Sequence, residues 1–155
     1  MLVGQTRNMS SFVPHFIAGV SVGVISTGIF GIYQYPDFSY VTALPLLTGI
    51  CGALTPDMDI KSKSSMLMYL VYTVIALWLF YTGEVFYAFL LLLYSIIPQF
   101  FSHRGFIHSG IFGLLSGSGI FAIAYYSANL PFEACLAISL SYFFGFLSHI
   151  LLDDL

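Results

Sequence analysis

The sequence predicts an all-α fold, a polytopic membrane bundle of about six transmembrane helices with both termini cytoplasmic. Three observations lead there. The 155 residues are 59% hydrophobic and 7% charged, against roughly a quarter charged in a soluble domain, and the mean hydropathy is +0.94. Six apolar stretches approach the ~20 residues needed to cross a hydrocarbon layer. The few cations, finally, all fall at one end of those stretches. Such a composition excludes an ordinary water-soluble globule, a disordered tail and a nucleic-acid binder that works through a basic surface, so no nucleic-acid partner is expected.

In order, the stretches run from Phe12 to Tyr33, Tyr40 to Leu54, Met66 to Thr82, Val85 to Phe101, Ser109 to Ala128 and Phe132 to Asp153. The first lacks a basic leader and a small-residue cleavage site, so it is read as a retained span rather than a signal peptide. Its Gly19 and Gly23 sit four apart, as do Gly113 and Gly117 in the fifth. Pairs of that spacing let helix backbones approach closely in lipid, and packing is the role expected of them. The second stretch is short for a crossing and is expected to tilt or to end inside the protein. Cys51 and Cys135 fall near opposite membrane faces, too far apart for a disulfide; they read as small apolar side chains. No internal repeat or low-complexity tract interrupts a single integral-membrane domain over residues 1–155.

Each pair of crossings returns the chain to the side it left. The loop after the second span, the loop after the fourth and the end of the sixth therefore share the N-terminal side. Arg7, Lys61, Lys63 and Arg104 all lie there, whereas the other side holds Asp37, Glu84 and Glu133 and no Lys or Arg. The positive-inside rule makes the cation-bearing side cytoplasmic. Tyr33, Tyr35, Tyr40, Tyr81, Phe86, Tyr87, Tyr125, Tyr126 and Phe132 collect on the opposite side, as an interfacial aromatic belt would.

The same alternation places every histidine at the cytoplasmic end. His15 opens the first span. Thr55-Pro56-Asp57-Met58-Asp59 follows the second, and because proline biases its predecessor away from helical geometry, this segment is expected to be extended with both carboxylates on one side. Lys61 and Lys63 could instead make it a solvated, charge-balanced loop. His103-Arg104-Gly105-Phe106-Ile107-His108-Ser109 joins the fourth and fifth spans, and Gly105 permits a turn that aims both imidazoles one way. His149 and Asp153 stand at i and i+4 on the last helix, on one face; Asp154 is rotated by about 100° and reads as a solvated terminal charge. Ionisable groups beside membrane spans are costly and by default mark function. Imidazoles with carboxylates and no thiolate cluster suit zinc, manganese or iron. His15, Asp57, Asp59, His103, His108, His149 and Asp153 exceed what one tetrahedral ion needs, so two metals, or one metal with an outer shell, is the economical expectation.

This order of motifs, an N-terminal His, Pro56-Asp57-Met58-Asp59, His103-Arg104-Gly105-Phe106-Ile107-His108-Ser109 and Ser148-His149 with Asp153, resembles the YdjM-like family of bacterial inner-membrane proteins. The resemblance spans His15 to Asp153. It implies a LexA-regulated, metal-dependent hydrolase of the bacterial inner membrane, and the family's relation to zinc-dependent phospholipase C and P1-type nucleases implies phosphoester hydrolysis. Members often carry His directly after the second Asp, where Ile60 stands here, and tend to continue past the last Asp, where this sequence has Leu155 as its final residue.

The expectation is therefore a membrane-embedded hydrolase holding one or two divalent ions, zinc foremost, with membrane lipids as partners and a lipid-linked phosphoester as substrate. Arg104 would pair with phosphate through its planar fork. Asp57 or Asp59 would act as general base. Two other classes remain open on sequence: a divalent-metal or proton transporter, which needs polar groups reaching both faces, and a non-catalytic scaffold whose ions tie helix ends together. Substrate identity, metal identity and oligomeric state are not encoded in any motif.

Overall fold

Within lipid a backbone N–H or C=O finds no partner outside its own segment, so long apolar runs fold as helices. The computed structural model describes residues 12–34, 40–101 and 105–153. Among these residues there are six α-helices: α1 (Phe12–Gln34), α2 (Tyr40–Leu54), α3 (Lys63–Tyr81), α4 (Val85–Ile96), α5 (Gly110–Tyr126) and α6 (Phe132–Asp153). There is no strand among the described residues.

Helix ends differ from the expected boundaries where capping chemistry intervenes. α3 begins at Lys63 rather than Met66 because Ser62 and Ser65 cap each other reciprocally, each hydroxyl accepting the other's backbone N–H at 3.0 Å. α4 stops at Ile96 rather than Phe101: Pro98 brings no N–H to the helical ladder, and the chain tightens into a 3-10 turn over Ile97–Phe100. α5 starts after Ser109, whose Oγ accepts from Phe112 N at 3.2 Å, and ends at Tyr126 rather than Ala128.

α1, α2 and α6 pack against one another, α5 lies on α6, and α3 and α4 form a hairpin. Glycine makes the central crossing possible. A Cβ on Gly52 would run into the carbonyl of Tyr142, and one on Gly145 into the carbonyl of Gly49. Gly19 and Gly23 meet α2 as expected, with a Cβ at Gly19 falling 2.9 Å from Gly49 O and one at Gly23 2.6 Å from Leu46 Cα. Gly113 lies against the Phe146 ring and Gly117 near Ser139 O. Side-chain hydroxyls add bonds between α2 and α6: Ser141 Oγ donates to Pro45 O at 2.6 Å and Thr48 Oγ1 to Ile138 O at 2.9 Å.

The hairpin is tied to the rest through uncharged hydroxyls. Tyr94 on α4 donates to Ser116 Oγ on α5 at 3.1 Å and meets the Tyr142 hydroxyl of α6 at 2.7 Å. Tyr72 on α3 approaches Thr55 Oγ1 at 3.4 Å. Outward faces are apolar, with Leu70, Val74, Leu77 and Trp78 all more than half exposed, the reverse of a surface made for water. α1 over Phe12–Phe30, the Val41–Asp59 stretch, α3 and α6 are long and apolar enough to cross a membrane; Val85–Phe100 and α5 are shorter. Tyr81, Phe86, Tyr126 and Phe132 are exposed at one end of the bundle, and the polar residues gather at the other. Cys51 and Cys135 are free thiols.

Gly52→Ala and Gly145→Ala are each expected to destabilise the bundle by about 1–3 kcal/mol, the usual cost of forcing a methyl into a packed contact. Gly28→Ala and Gly119→Ala, where a Cβ meets nothing within 4 Å, should leave it unchanged or slightly more stable. Thermal unfolding of the purified proteins in detergent separates the two pairs.

Candidate metal centre

Four segments deliver polar side chains to one end of the bundle. His15 comes from the first turn of α1 and is 2% exposed; His149, near the end of α6, is fully buried. Asp57 and Asp59 sit on a 3-10 turn over Thr55–Asp59 that continues α2. His108 closes a short 3-10 turn over Phe106–His108 ahead of α5. Asp153 lies one turn beyond His149 on α6, with its side chain 24% exposed.

The Thr55–Asp59 segment is helical, not extended as expected. Its proline falls at the first turn of the 3-10 helix, where no N–H is required. Thr55 Oγ1 donates to Cys51 O at 2.7 Å, which binds the turn to the end of α2, and Met58 is buried against Leu54, Met68 and Tyr72. The two carboxylates consequently diverge: Asp57 approaches His149, and Asp59 approaches His108.

His149 is the hub. Its Nδ1 lies 2.7 Å from the Ala53 carbonyl oxygen; a carbonyl only accepts, so Nδ1 carries a proton, and in the neutral form of the ring the lone pair is at Nε2. That nitrogen faces Asp57 Oδ1 and Asp153 Oδ2, each at 3.6 Å. His15 stacks on the same ring with centroids 3.8 Å apart, and its Nε2 is 3.2 Å from Asp153 Oδ1. His108 meets His149 edge-on at 5.7 Å, with Nδ1 3.9 Å from Asp59 Oδ2.

A ring nitrogen between two carboxylates is a place for a positive charge, which a proton or a metal ion can supply. Protonating both stacked rings would set two positive charges 3.8 Å apart, a repulsion of about 4 kcal/mol at an effective dielectric of about 20. A single divalent ion bound by neutral imidazoles avoids that. The four nitrogen–oxygen separations, from 3.2 to 3.9 Å, bracket the ~3.4 Å between neighbouring ligands around a tetrahedral zinc with bonds of about 2.0–2.1 Å. They exceed the 2.7–2.9 Å usual for charge-assisted hydrogen bonds. His149 Nε2 is buried without a hydrogen-bond partner, a costly arrangement in an apolar bundle that coordination would relieve. The donor set fits a divalent metal.

Two overlapping groups have metal-compatible spacing: His15, His149 and Asp153, and Asp57, His108 and His149. Because Nδ1 of His149 is committed to Ala53, one ion can take Nε2, and a second would have to be held by the remaining donors. Asp59 stands beside His108 at the edge of this centre. His103, Arg104 and Asp154 lie outside the described residues. Sequence reasoning missed the Ala53 carbonyl, which orients the hub. The signal was Pro56: in a 3-10 register the Ala53 carbonyl would look to residue 56, which has no N–H, leaving it open to His149.

These residues fall within the region that a known family's model matches, residues 9–155, under the description YdjM inner membrane protein. No curated protein and no solved structure matches the chain. Spanning nearly the whole sequence and agreeing with four helices of membrane-crossing length, the match shows that the chain belongs to the YdjM inner membrane protein family.

Proposed function

We propose that this protein is a membrane-embedded, metal-dependent hydrolase acting on a phosphoester of a lipid-linked phosphate at the cytoplasmic face of the bacterial inner membrane. The observation that carries the reading is the lone pair of His149 Nε2 directed at two carboxylates in a dry bundle end. Zinc is the foremost metal for this nitrogen–oxygen set, with manganese or iron as alternatives. His15, His149, Asp57, Asp153 and His108 hold it, and the Asp59–His108 contact steadies one edge. When bound, a divalent ion supplies Lewis acidity toward a phosphoryl oxygen and lowers the pKa of a water.

The chain's own residues supply the rest. Asp57 directs one oxygen at His149 while the other is buried and unpartnered, so Asp57 can take a proton as general base without leaving the centre. The Ala53 carbonyl holds His149 in the tautomer that coordinates. Arg104 pairs with the substrate phosphate. Lys61 and Lys63 are exposed at the same end, where they attract anionic headgroups. All six helices cross the membrane in this reading, the shorter α4 and α5 at a locally thinned bilayer.

Purified protein should contain about one equivalent or more of divalent metal by elemental analysis, a stoichiometry typical of a catalytic site. His149→Ala, His108→Ala and Asp59→Ala should each lose most of it, while Glu133→Gln, at the exposed start of α6 at the opposite end, should retain it. Unchanged metal in all three site variants would remove the metal reading. Phosphate release from vesicles containing phosphatidic acid, a lipid phosphomonoester, should depend on added metal and fall at least 100-fold in Asp57→Asn, the scale on which general bases act. A C-terminal fusion to a reporter active only outside the cytoplasm should be silent; activity would invert the orientation.

A further inference from the structure

Asp57 and Asp59 are separated by Met58, and the way that one residue is held sets where both carboxylates point. Its side chain is 1% exposed, packed with Leu54, Met68 and Tyr72. Its carbonyl is a different matter. The 3-10 turn ends at Asp59, and its closing bond runs from Ile60 N to Asp57 O at 3.3 Å. Met58 O therefore falls past the last bond of the turn and belongs to the carbonyls that a helix end leaves for outside donors. Tyr69, two turns into α3, donates its hydroxyl to that carbonyl at 2.7 Å.

Tyr69 is itself steered. Gln99, on the 3-10 turn after α4, donates from Nε2 to the Tyr69 hydroxyl oxygen at 3.1 Å. A phenol has one proton; with Gln99 donating to its oxygen, that proton goes to Met58. The run Gln99 to Tyr69 to Met58 thus ties the ends of α3 and α4 to the turn that carries both carboxylates. Neither Tyr69 nor Gln99 touches a ligating side chain in the bonds described, and neither carries charge, so no rule about metal ligands singles them out.

We infer that Tyr69 is a positioning residue of the metal centre, acting through the Met58 carbonyl to hold Asp57 on His149 and Asp59 on His108, with Gln99 fixing the direction of its hydroxyl. The inference rests on the metal reading proposed above. Partners one bond removed from the ligands commonly change metal affinity 10–100-fold. Here a single bond positions one candidate ligand, Asp57, and the carboxylate that steadies another, Asp59 beside His108, so its loss loosens both.

Cobalt titration of the full-length protein in lipid nanodiscs, followed by the visible d–d bands of the bound ion, tests this. Tyr69→Phe keeps the ring and removes only the hydroxyl. It should weaken cobalt binding about tenfold and shift the d–d bands, with the metal-free unfolding temperature little changed. Gln99→Leu, at an exposed position, should give a smaller shift in the same direction and guards against a folding defect in the first variant. Tyr87→Phe, which deletes a hydroxyl bonded to Ser127 at the other end of the bundle, should leave affinity and spectrum as in the wild type. Wild-type affinity and bands in both Tyr69→Phe and Gln99→Leu would overturn the inference while leaving the metal centre standing. A wild-type protein that takes up no cobalt, zinc or manganese would instead overturn the metal reading, and this inference with it.

Discussion

The hydrogen bond from His149 Nδ1 to the Ala53 carbonyl is the constraint on which the polar end of this protein depends. It joins the last turn of α2 to the last turn of α6, and it commits one ring nitrogen so that the other must face Asp57 and Asp153. In water a histidine so placed would rotate or pick up a solvent proton. Here His149 is fully buried and stacked against His15, and the surrounding groups must satisfy it. The close α2–α6 packing allowed by Gly52 and Gly145 is what brings that carbonyl within reach. Backbone packing and site chemistry are therefore one problem: the glycines set the helix separation, and the separation sets the tautomer.

The fold was largely legible because hydrophobic length is a strong signal in a chain with so few charges. All six helices lie where the apolar runs lie. Boundaries were harder, since Ser62, Pro98 and Ser109 act through local capping that a hydrophobic run does not reveal. The glycines at four-residue spacing were readable as packing positions, whereas Gly49, Gly52 and Gly145 were not, because their partners lie on another helix. The candidate ligands were legible for the reason that made them rare: ionisable side chains are expensive near lipid and stand out. What the sequence did not convey was their pairing. Whether Asp57 and Asp59 share a side depends on whether five residues are extended or 3-10, and the burial of Met58 decided that against the local preference of Pro56. Ala53 contributes a backbone atom, invisible to any pattern of residue types.

The hairpin of α3 and α4 stands apart from the other four helices in how it is held. α1, α2 and α6 meet through glycines and backbone; the hairpin meets them through Tyr72, Tyr94 and the turn at Asp59. Hydroxyl bonds are directional, so they specify one docking where interchangeable apolar faces would allow several. A transporter would need polar groups reaching from one face to the other. The tyrosine cluster supplies such groups, but they are uncharged and spent on each other, Ser116 and Thr55.

The chain positions that meet at the polar end have an implication for how the protein is made. His15 is synthesised and inserted early, yet its partners His149 and Asp153 belong to the last helix. Until α6 is made and docks, His15 and Asp57 lack the partners they have in the folded protein, His149 and Asp153. The centre therefore cannot assemble until α6 has docked on α1 and α2, which makes the last helix the one that completes it.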